Sequence, residues 1–282
     1  MTVVGVGLLG GSIALAAKAA DERIRVVGVG RRKSSLQRAL DAGAIDRATL
    51  DAADGAAGSD VVVLGTPLAA YEQHLQAMAP ALGHGVLVTD VGSTKALAVQ
   101  LAEAVLGAGG PFVGSHPMAG GEQGGVDYAR ADLFVGATCI VTPTRRTPPT
   151  LVRRAERFWK MLGGVTIRMS PAAHDRAVAG ISHLPHLLAA LMVVQQKRDH
   201  LPLAGSGWLD TTRIASSSPA MWREIIMTNR KAILAALDNA DEALMKLRDL
   251  VELGDGPGIQ RYLAAAKKRR DQVLSRRLRQ RQ

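Results

Sequence analysis

The chain has 282 residues, of which 47% are hydrophobic, 21% are charged and 3% are aromatic, and its formal net charge is +10. This composition is typical of a globular protein and excludes collagen-like, disordered and disulfide-rich chains. At roughly 150 residues per domain, the length predicts two domains, each large enough to bury a core of its own.

The N-terminal half repeats one unit, in which a short β-branched run is followed by a Gly or Pro turn and an Ala- and Leu-rich amphipathic stretch. Apolar strands that alternate with helices predict a mostly parallel sheet covered on both faces. Residues 1–170 are therefore predicted to form an α/β domain of the Rossmann-type, doubly wound class. The predicted strands are Val3–Val6, Arg25–Val29, Asp60–Leu64, Gly85–Asp90, Phe112–Gly114, Ala137–Val141 and Val165–Arg168.

A glycine-rich turn follows the first predicted strand and opens the predicted helix Ser12–Ala20. Its GxGxxG string, set between a strand and a helix, is typical of dinucleotide binding, because the unpaired N–H groups of a helix N-terminus favour the pyrophosphate. We expect Gly5 to permit the tight turn, Gly7 to let the pyrophosphate approach and Gly10 to let the helix pack closely. The predicted cofactor loop comprises Gly5, Gly7, Leu8, Leu9 and Gly10.

The end of the second predicted strand indicates which dinucleotide is bound. An acid at this place accepts hydrogen bonds from the ribose 2′-OH of NAD and repels a 2′-phosphate, but the stretch from Val29 to Ser34 contains no acid. We therefore predict NADP as the cofactor, with NAD bound more weakly, and Arg31 as the main partner of the 2′-phosphate. Arg32, Lys33 and Ser34 are predicted to assist it. The alternative is that these residues only begin a solvated helix.

Further candidates stand directly after predicted strands, because ligands of an open parallel sheet bind outside the carboxyl ends of its strands. Thr66 and Pro67 follow one strand and are predicted to contact the cofactor. His116 follows another, where a histidine can take the proton of a hydroxyl group as hydride leaves for a nicotinamide. The alternative for a histidine at a strand end is a structural, hydrogen-bonded role.

Strand-like runs disappear after Pro171, so residues 171–282 are predicted to form an all-helical domain. Its clearest helix has Ser218 as N-cap and Pro219 at the first position, and Gly254 closes it after about 35 residues. Apolar residues recur around much of the circumference of this helix, which favours a domain that forms a homodimer.

His183 and His186 stand three residues apart and so share a helix face, which is compatible with a metal pair. A third ligand, acidic or Cys, with suitable spacing is missing from the neighbouring sequence. We therefore predict no metal site.

The positive charge is concentrated at the C-terminus, where residues 267–282 hold eight basic groups and one acid. Such a helix end is usually a solvated face, and without interleaved aromatic residues to stack on bases we expect no nucleic-acid partner. No stretch reaches roughly 18 uninterrupted apolar residues, and no basic region precedes the apolar start, so neither a membrane span nor a signal peptide is predicted. Cys139 is the single cysteine, which favours a reducing cytoplasm.

Six motifs together point to one family. They are GVGLLGGS at 5–12, DVGSTK at 90–95, SHPMAGGEQGG at 115–125, HD at 174–175, ISHLPH at 181–186 and DTTRIASSSPAMW at 210–222. With these motifs the chain resembles the prephenate and arogenate dehydrogenases of tyrosine biosynthesis over nearly its whole length.

The resemblance implies NADP-dependent oxidative decarboxylation of prephenate to 4-hydroxyphenylpyruvate, in which His116 accepts the proton of the ring hydroxyl. It implies that Ser93 helps to hold this hydroxyl and the histidine. Arg213 matches the arginine that binds a substrate carboxylate. This role suits the planar guanidinium group, which donates two parallel hydrogen bonds to a carboxylate. The further residues implied to line, gate or wall the substrate pocket are His183, His186, Glu122 and Trp222. For each of these four, buried packing or a supporting hydrogen bond is the alternative.

Three other interpretations stay open. An arogenate dehydrogenase would use the same residues and offer an acid to the substrate ammonium, for which Asp210, Glu122 and Asp127 are available. A different two-domain NADP-dependent reductase would usually rely on a lysine in its helical domain, and neither Lys197 nor Lys231 lies in a motif typical of such enzymes. A nucleotide sensor or RNA-binding module would use the basic tail instead.

Overall fold

A computed structural model describes the backbone of residues 1–121 and 123–279, with the side chains of these residues up to 275. Eight strands lie in one sheet: β1 Thr2–Val4, β2 Val27–Val29, β3 Arg47–Thr49, β4 Val61–Leu64, β5 Leu87–Asp90, β6 Phe112–Pro117, β7 Thr138–Thr142 and β8 Val165–Arg168. Their spatial order is β3-β2-β1-β4-β5-β6-β7-β8. Neighbouring strands are parallel except for β6 and β7, which are antiparallel.

The α-helices are α1 Leu8–Ala20, α2 Lys33–Asp41, α3 Ala52–Ala56, α4 Tyr71–Met78, α5 Ala96–Leu106, α6 Pro149–Met161, α7 Pro171–Val178, α8 Leu184–Val194, α9 Ser206–Thr212, α10 Pro219–Thr228, α11 Arg230–Glu252 and α12 Gly256–Arg279. A π-helical turn, Ala179–His183, joins α7 to α8. After Pro171 the described chain is helical with connecting turns, as predicted.

The sheet has a hydrophobic core on each face. Val3 and Val4 are both fully buried, yet they belong to separate cores, because successive side chains of a strand point to opposite faces. Val3 packs in the core that contains Trp159 of α6, and Val4 in the core that contains Tyr71 and Leu75 of α4. The predicted fold, a mostly parallel sheet covered on both faces and followed by helices, is confirmed.

Three strand predictions need correction. The first strand ends at Val4 rather than Val6, because Gly5 has a positive φ of 94° and begins the turn into α1. Strand β3 was not predicted, since it is a short edge strand with neither an apolar run nor a fully buried residue. Strand β6 runs on to Pro117, so His116 lies inside a strand and not in the loop after it.

The prediction of one long helix between Ser218 and Gly254 is wrong, because the chain breaks at Asn229 into α10 and α11. Asn229 has φ −120° and ψ 26°, and its side-chain amide donates to the carbonyl of Asp175 at 2.8 Å. The predicted caps are confirmed: the Ser218 hydroxyl accepts the N–H of Met221, and Gly254 follows α11 with a positive φ of 62°.

The chain divides into two compact units, Met1–Arg230 and a second that begins at Lys231. The first unit therefore contains the sheet together with α7 to α10. The boundary predicted after residue 170 rests on the change from strands to helices, and it stays a prediction.

One helical stretch, Pro171–Val194, is long and apolar enough to cross a membrane by length and composition alone, with a mean hydropathy of 1.8. The sequence contains no uninterrupted apolar run here, because polar residues such as His174 and Asp175 interrupt it. Core helices of globular proteins pass the same test, but only 28% of this stretch is buried, and His174 and Asp175 are among its buried residues.

Candidate active site

His116 lies near the carboxyl end of β6, and its side chain is almost completely buried, with 9% of the residue exposed. Its Nδ1 is 2.8 Å from Nε2 of His174 on α7, and the two rings meet edge to face with centroids 5.1 Å apart. Helix α7 begins at Pro171, three residues before His174, and the hydroxyl of its N-cap Ser170 accepts the N–H of Ala173. The start of this helix therefore brings a second histidine to the end of the strand.

Asp175, the next residue of α7, binds the far side of the His174 ring. Its Oδ1 lies 2.7 Å from Nδ1 of His174 and also accepts the backbone N–H of Lys95 at 2.7 Å. Its Oδ2 accepts the N–H of Ala96 at 2.9 Å. Because these N–H groups lie at the N-terminus of α5, the carboxylate caps that helix while it holds the histidine.

Burial favours the neutral form of both histidines. It lowers the pKa of His116 well below its usual value, and the nearby His174 and Lys95 add to the effect. It also lowers the pKa of His174, although Asp175 opposes this. For Asp175, burial disfavours the charged form, but hydrogen bonds from His174 and two backbone N–H groups outweigh it and lower the pKa. At neutral pH the cluster therefore contains two neutral imidazoles and one carboxylate, and His116 is able to accept a proton.

A buried ion pair lies next to this cluster. The ammonium group of Lys95 contacts Oδ2 of Asp90, and both side chains are fully buried. Asp90 also accepts hydrogen bonds from the Tyr71 hydroxyl at 2.9 Å and from the Ser115 N–H at 2.8 Å. A buried pair of charges is tolerated only when its remaining hydrogen bonds are satisfied, as they are for this carboxylate. Because Ser115 adjoins His116, the network also anchors β6 at the catalytic candidate.

Asn229 connects the histidine cluster to a second group of predicted residues. Its Nδ2 contacts the Asp175 carbonyl and lies 3.2 Å from Nδ1 of His183, whose pKa burial lowers to about 4. Trp222 of α10 stacks on His186 with ring centroids 3.5 Å apart, and meets His183 edge-on at 5.9 Å. Among the described residues, the buried Nε2 of His183 and Nε1 of Trp222 have no hydrogen-bond partner. Such atoms are suited to bind a polar ligand group.

The other predicted site residues lie on separate elements of the fold. Ser93 is half-buried in the loop between β5 and α5, two residues before Lys95. Arg213 is exposed and begins a 3-10 turn, Arg213–Ser216, that contacts α8. Glu122 lies outside the described residues. The structure thus brings His183, His186 and Trp222 into one cluster. Asn229 connects this cluster to Asp175, which binds His116 through His174. Within the described part of the chain, no group of three or more His, Cys, Asp or Glu side chains could hold a metal ion.

The glycine-rich loop has the geometry of a dinucleotide site. Gly5 has a positive φ of 94°, and a Cβ on Gly10 would lie 2.2 Å from the Gly5 carbonyl oxygen, so both positions require glycine. A Cβ on Gly7, by contrast, would meet nothing within 4 Å. Gly7 is the N-cap of α1, and no side chain caps this helix, whose first N–H groups include those of Leu8 and Leu9. The open space in front of free helical N–H groups therefore fits a pyrophosphate.

The remaining cofactor candidates lie at the same edge of the sheet. Thr66 packs against Gly5, and Pro67 follows it in the turn after β4. Arg31 is exposed in the turn after β2, close enough to His74 that its charge, together with burial, lowers the pKa of that histidine. Arg32 is the N-cap of α2, and Lys33 and Ser34 begin the helix, so these three do start an exposed helix while Arg31 precedes it.

Three residues of the site, His174, Asp175 and Asn229, have no role that the sequence alone predicts. The HD motif at 174–175 was visible, and a histidine beside an aspartate at a helix start is a signal for a hydrogen-bonded pair. Its partner could not be found from the sequence, because His116 lies 58 residues away. Asn229 stood inside a pattern that predicted continuous helix.

Family models match both halves of the chain. The model described as "Prephenate dehydrogenase, nucleotide-binding domain" matches residues 13–168, and that described as "Prephenate dehydrogenase, dimerization domain" matches residues 170–265. A prephenate dehydrogenase of Bacillus subtilis is 38% identical over 276 residues, covering 95% of this chain and 74% of that protein.

Two solved structures are similar throughout. One is a prephenate dehydrogenase from A. aeolicus in complex with hydroxyphenyl propionate and NAD+, with TM-score 0.89, 32% identity, and coverage of 96% of this chain and 97% of the other. The other is an arogenate dehydrogenase from Synechocystis, with TM-score 0.84, 30% identity, and coverage of 96% and 99%. These relatives are dehydrogenases, and the resemblance predicted from the motifs is confirmed.

Proposed function

The chain belongs to the prephenate dehydrogenase family, and we propose that it catalyses the NADP-dependent oxidative decarboxylation of prephenate to 4-hydroxyphenylpyruvate in tyrosine biosynthesis. The observation that carries the proposal is the neutral, nearly buried His116 at the carboxyl end of β6. The glycine-rich loop follows the carboxyl end of the parallel strand β1, so the base and the dinucleotide loop share the ligand-binding edge of the sheet.

The bound nicotinamide would supply the hydride acceptor. His116 accepts the proton of the ring hydroxyl at its Nε2 while hydride leaves the ring carbon that bears this hydroxyl. Loss of CO₂ then makes the ring aromatic, and His116 returns the proton to the ring oxygen. Ser93 helps to hold the hydroxyl, and Arg213 binds a substrate carboxylate as a bidentate partner. His183 and Trp222 offer buried ring nitrogens to the substrate, and His186 supports the Trp222 ring. The family resemblance alone assigns Glu122, which lies outside the described residues, to the gate or wall of the pocket.

Arogenate is the second candidate substrate, favoured by the structural similarity to an arogenate dehydrogenase. Its ammonium group requires an acid. Asp127 lies 3.6 Å from Arg38 on the surface, and Asp210 is exposed on α9. What supports prephenate is the 38% identity to the prephenate dehydrogenase of Bacillus subtilis, which exceeds the 30% identity to the arogenate dehydrogenase.

The experiment that tests the function is reduced-cofactor formation by the purified protein with prephenate or arogenate, each with NADP or NAD. We expect the fastest turnover with prephenate and NADP. The His116→Asn variant should lose about 10²- to 10⁴-fold in kcat, the range for a general base, with nearly unchanged cofactor affinity. Faster turnover of arogenate would show that arogenate and not prephenate is the substrate. If the wild-type protein forms no reduced cofactor in any of the four mixtures, the dehydrogenase proposal is refuted.

The preference for NADP is supported by Arg31, which is exposed in the turn after β2, and by the absence of an acid between Val29 and Ser34. Arg31→Ala should raise the Kd for NADP about tenfold, the loss of one charge-assisted hydrogen bond, and leave the Kd for NAD nearly unchanged. Arg25→Ala is the matched control, because Arg25 is an exposed arginine before the opposite end of β2. Titration calorimetry measures both affinities, and equal weakening for the two cofactors would contradict the assignment.

We also propose a cytoplasmic homodimer formed through the helical part of the chain. Its support is the match to a dimerization-domain model and the exposed apolar side chains of α8 and the preceding π turn. Ile181 is 70% exposed, Leu191 56% and Val194 82%. Covering such residues with a second copy removes apolar area from water. Light scattering should give twice the chain mass, and Leu191→Glu should shift the protein towards monomer, whereas a monomeric wild-type protein would contradict the proposal.

A further inference from the structure

We infer that His174 and Asp175 are positioning residues that fix the tautomer of His116, so that its Nε2 carries the lone pair that accepts the substrate proton. This inference rests on the proposed function, because it concerns how the proposed base is prepared. It depends on two contacts, between His116 Nδ1 and His174 Nε2 at 2.8 Å and between His174 Nδ1 and Asp175 Oδ1 at 2.7 Å.

The direction of this chain of hydrogen bonds is set at Asp175. Both of its carboxylate oxygens accept backbone N–H groups, from Lys95 at 2.7 Å and from Ala96 at 2.9 Å. A backbone N–H can only donate, so the aspartate acts as an acceptor on both sides. The nitrogen of His174 that faces it must therefore be protonated, and Nδ1 of His174 is the donor.

A neutral imidazole with a proton on Nδ1 has a lone pair on Nε2. In His174 this lone pair points at Nδ1 of His116, which must then carry a proton for a hydrogen bond to form. Since His116 is also neutral, its own Nε2 has the lone pair. The backbone of α5 thus determines, through Asp175 and His174, which nitrogen of His116 can act as a base.

The reverse arrangement would disable the site. A positively charged His174 would donate from both nitrogens, so Nδ1 of His116 would have to accept and the proton of neutral His116 would move to Nε2. The surroundings oppose this charge, because His174 is fully buried and Lys95 lies nearby. The charged or titratable groups that influence His116 are His174 and His183 from the helical segment and Lys95 beside β5, whose partner is Asp90.

The same contacts assist the proton transfer itself. When His116 gains the substrate proton at Nε2, the imidazolium keeps its Nδ1–H bond to His174, and the Asp175 carboxylate stabilises the positive charge through that ring. The proton stays on His116 and no atom of the positioning residues changes its bonds. A hydrogen bond becomes stronger when one partner is charged, so the support is greatest in the charged state.

Nitrogen-15 NMR of the histidine-labelled wild-type protein tests the tautomer without turnover. The chain contains seven histidines, and the signals absent from the His116→Asn spectrum identify those of His116. We expect a protonated Nδ1 and an unprotonated Nε2 for His116 at pH 7.5. A protonated Nε2 on His116 would overturn the inference even if the enzyme is active.

Two variants of His174 test the consequence for catalysis. His174→Phe keeps a ring in the buried space but removes the acceptor, and should lower kcat about 10- to 100-fold, the range of one charge-assisted hydrogen bond. His174→Gln places an amide oxygen near the former Nε2 and should restore part of the loss. His84→Phe is the matched control and should leave kcat unchanged. Equal kcat values for the Phe and Gln variants would count against the inference.

A double-mutant cycle separates positioning from a structural role. In the His116→Asn background, His174→Phe should cause no further loss of kcat beyond about twofold, because its effect acts through His116. A further tenfold loss would show a separate role and overturn the inference. If His174→Phe does not fold, the wild-type spectrum and the kcat of the Gln variant still test whether His174 positions His116. Absence of wild-type turnover refutes the proposed function alone, because the spectrum reports the tautomer independently.

Discussion

The role of each side chain at the site depends on the hydrogen-bond partners of its ring nitrogens or charged group. His116 is held by one neighbour on Nδ1, so its second nitrogen is left for a reacting group. His183 is held on Nδ1 by Asn229, and its Nε2 is buried without a partner among the described residues. The two histidines thus share a pattern, one nitrogen bound by the protein and one available to a ligand. Arg213 differs, because it is exposed and belongs to a turn.

The Arg213→Ala variant tests the carboxylate contact. Loss of a bidentate, charge-assisted pair should raise KM about 10- to 100-fold and change kcat much less, since the pair binds ground state and transition state alike. Arg213→Lys is the control that keeps the positive charge but cannot form two parallel hydrogen bonds to a carboxylate, and it should give an intermediate KM. Steady-state kinetics with the better substrate provides both constants. An unchanged KM in the Ala variant would mean that another group binds the carboxylate.

Among the elements, the turn from β1 into α1 shows why three glycines of one motif are not equivalent. Gly5 needs its positive φ, Gly10 has no room for a Cβ beside the Gly5 carbonyl, and Gly7 faces open space. Two of them thus serve the fold, and Gly7 keeps the approach to the helix N-terminus clear for a ligand.

Paired alanine substitutions distinguish these roles. Gly7→Ala should fold normally, with Tm within about 2 °C of wild type, because the added methyl group meets no atom within 4 Å, but its Kd for NADP should rise at least about tenfold. Gly10→Ala should lower stability by about 1–3 kcal/mol, because the added methyl group overlaps the backbone. Thermal unfolding and calorimetric titration measure the two effects. Equal stability of both variants would contradict the assignment.

For the whole molecule, the buried neutral histidines make stability depend on pH. Burial lowers the pKa of His116, His174, His183 and His186, and that of His183 falls to about 4. In the unfolded chain histidines titrate near 6.5, so below that pH the unfolded state binds more protons than the folded state. The free energy of unfolding must then decrease as the pH falls. The lowered pKa of Asp175 adds a loss of the same sign at still lower pH, below about 3.9.

We therefore expect Tm to fall steadily between pH 7 and pH 4.5, a window set by the unfolded value of about 6.5 and the folded value of His183. Scanning calorimetry at constant ionic strength measures it. His183→Gln should flatten the dependence of Tm on pH, because it removes one of the histidines whose pKa burial lowers. A Tm that is constant over this range would refute the explanation.

Local patterns in the sequence predicted most of the elements correctly. The repeated units of strand and helix, the glycine loop and the caps at Ser218 and Gly254 involve neighbours a few residues apart, whose periodicity and conformational preferences can be read from the chain. The same holds for His116, His183, His186 and Trp222 as candidates, because family motifs are local strings. A short edge strand such as β3 carries no comparable signal, since it has neither an apolar run nor a buried face.

The sequence by itself thus determined the fold class, the dinucleotide loop and the identity of the proposed base, all of which depend on local pattern. The tertiary structure alone decided that His174 and Asp175 meet His116, and that Asn229 ends a helix to bind Asp175. These contacts arise where α7 packs against β7 and α5. Hydrogen bonds between distant residues depend on how elements pack in three dimensions, and no spacing along the chain encodes which donor will face which acceptor.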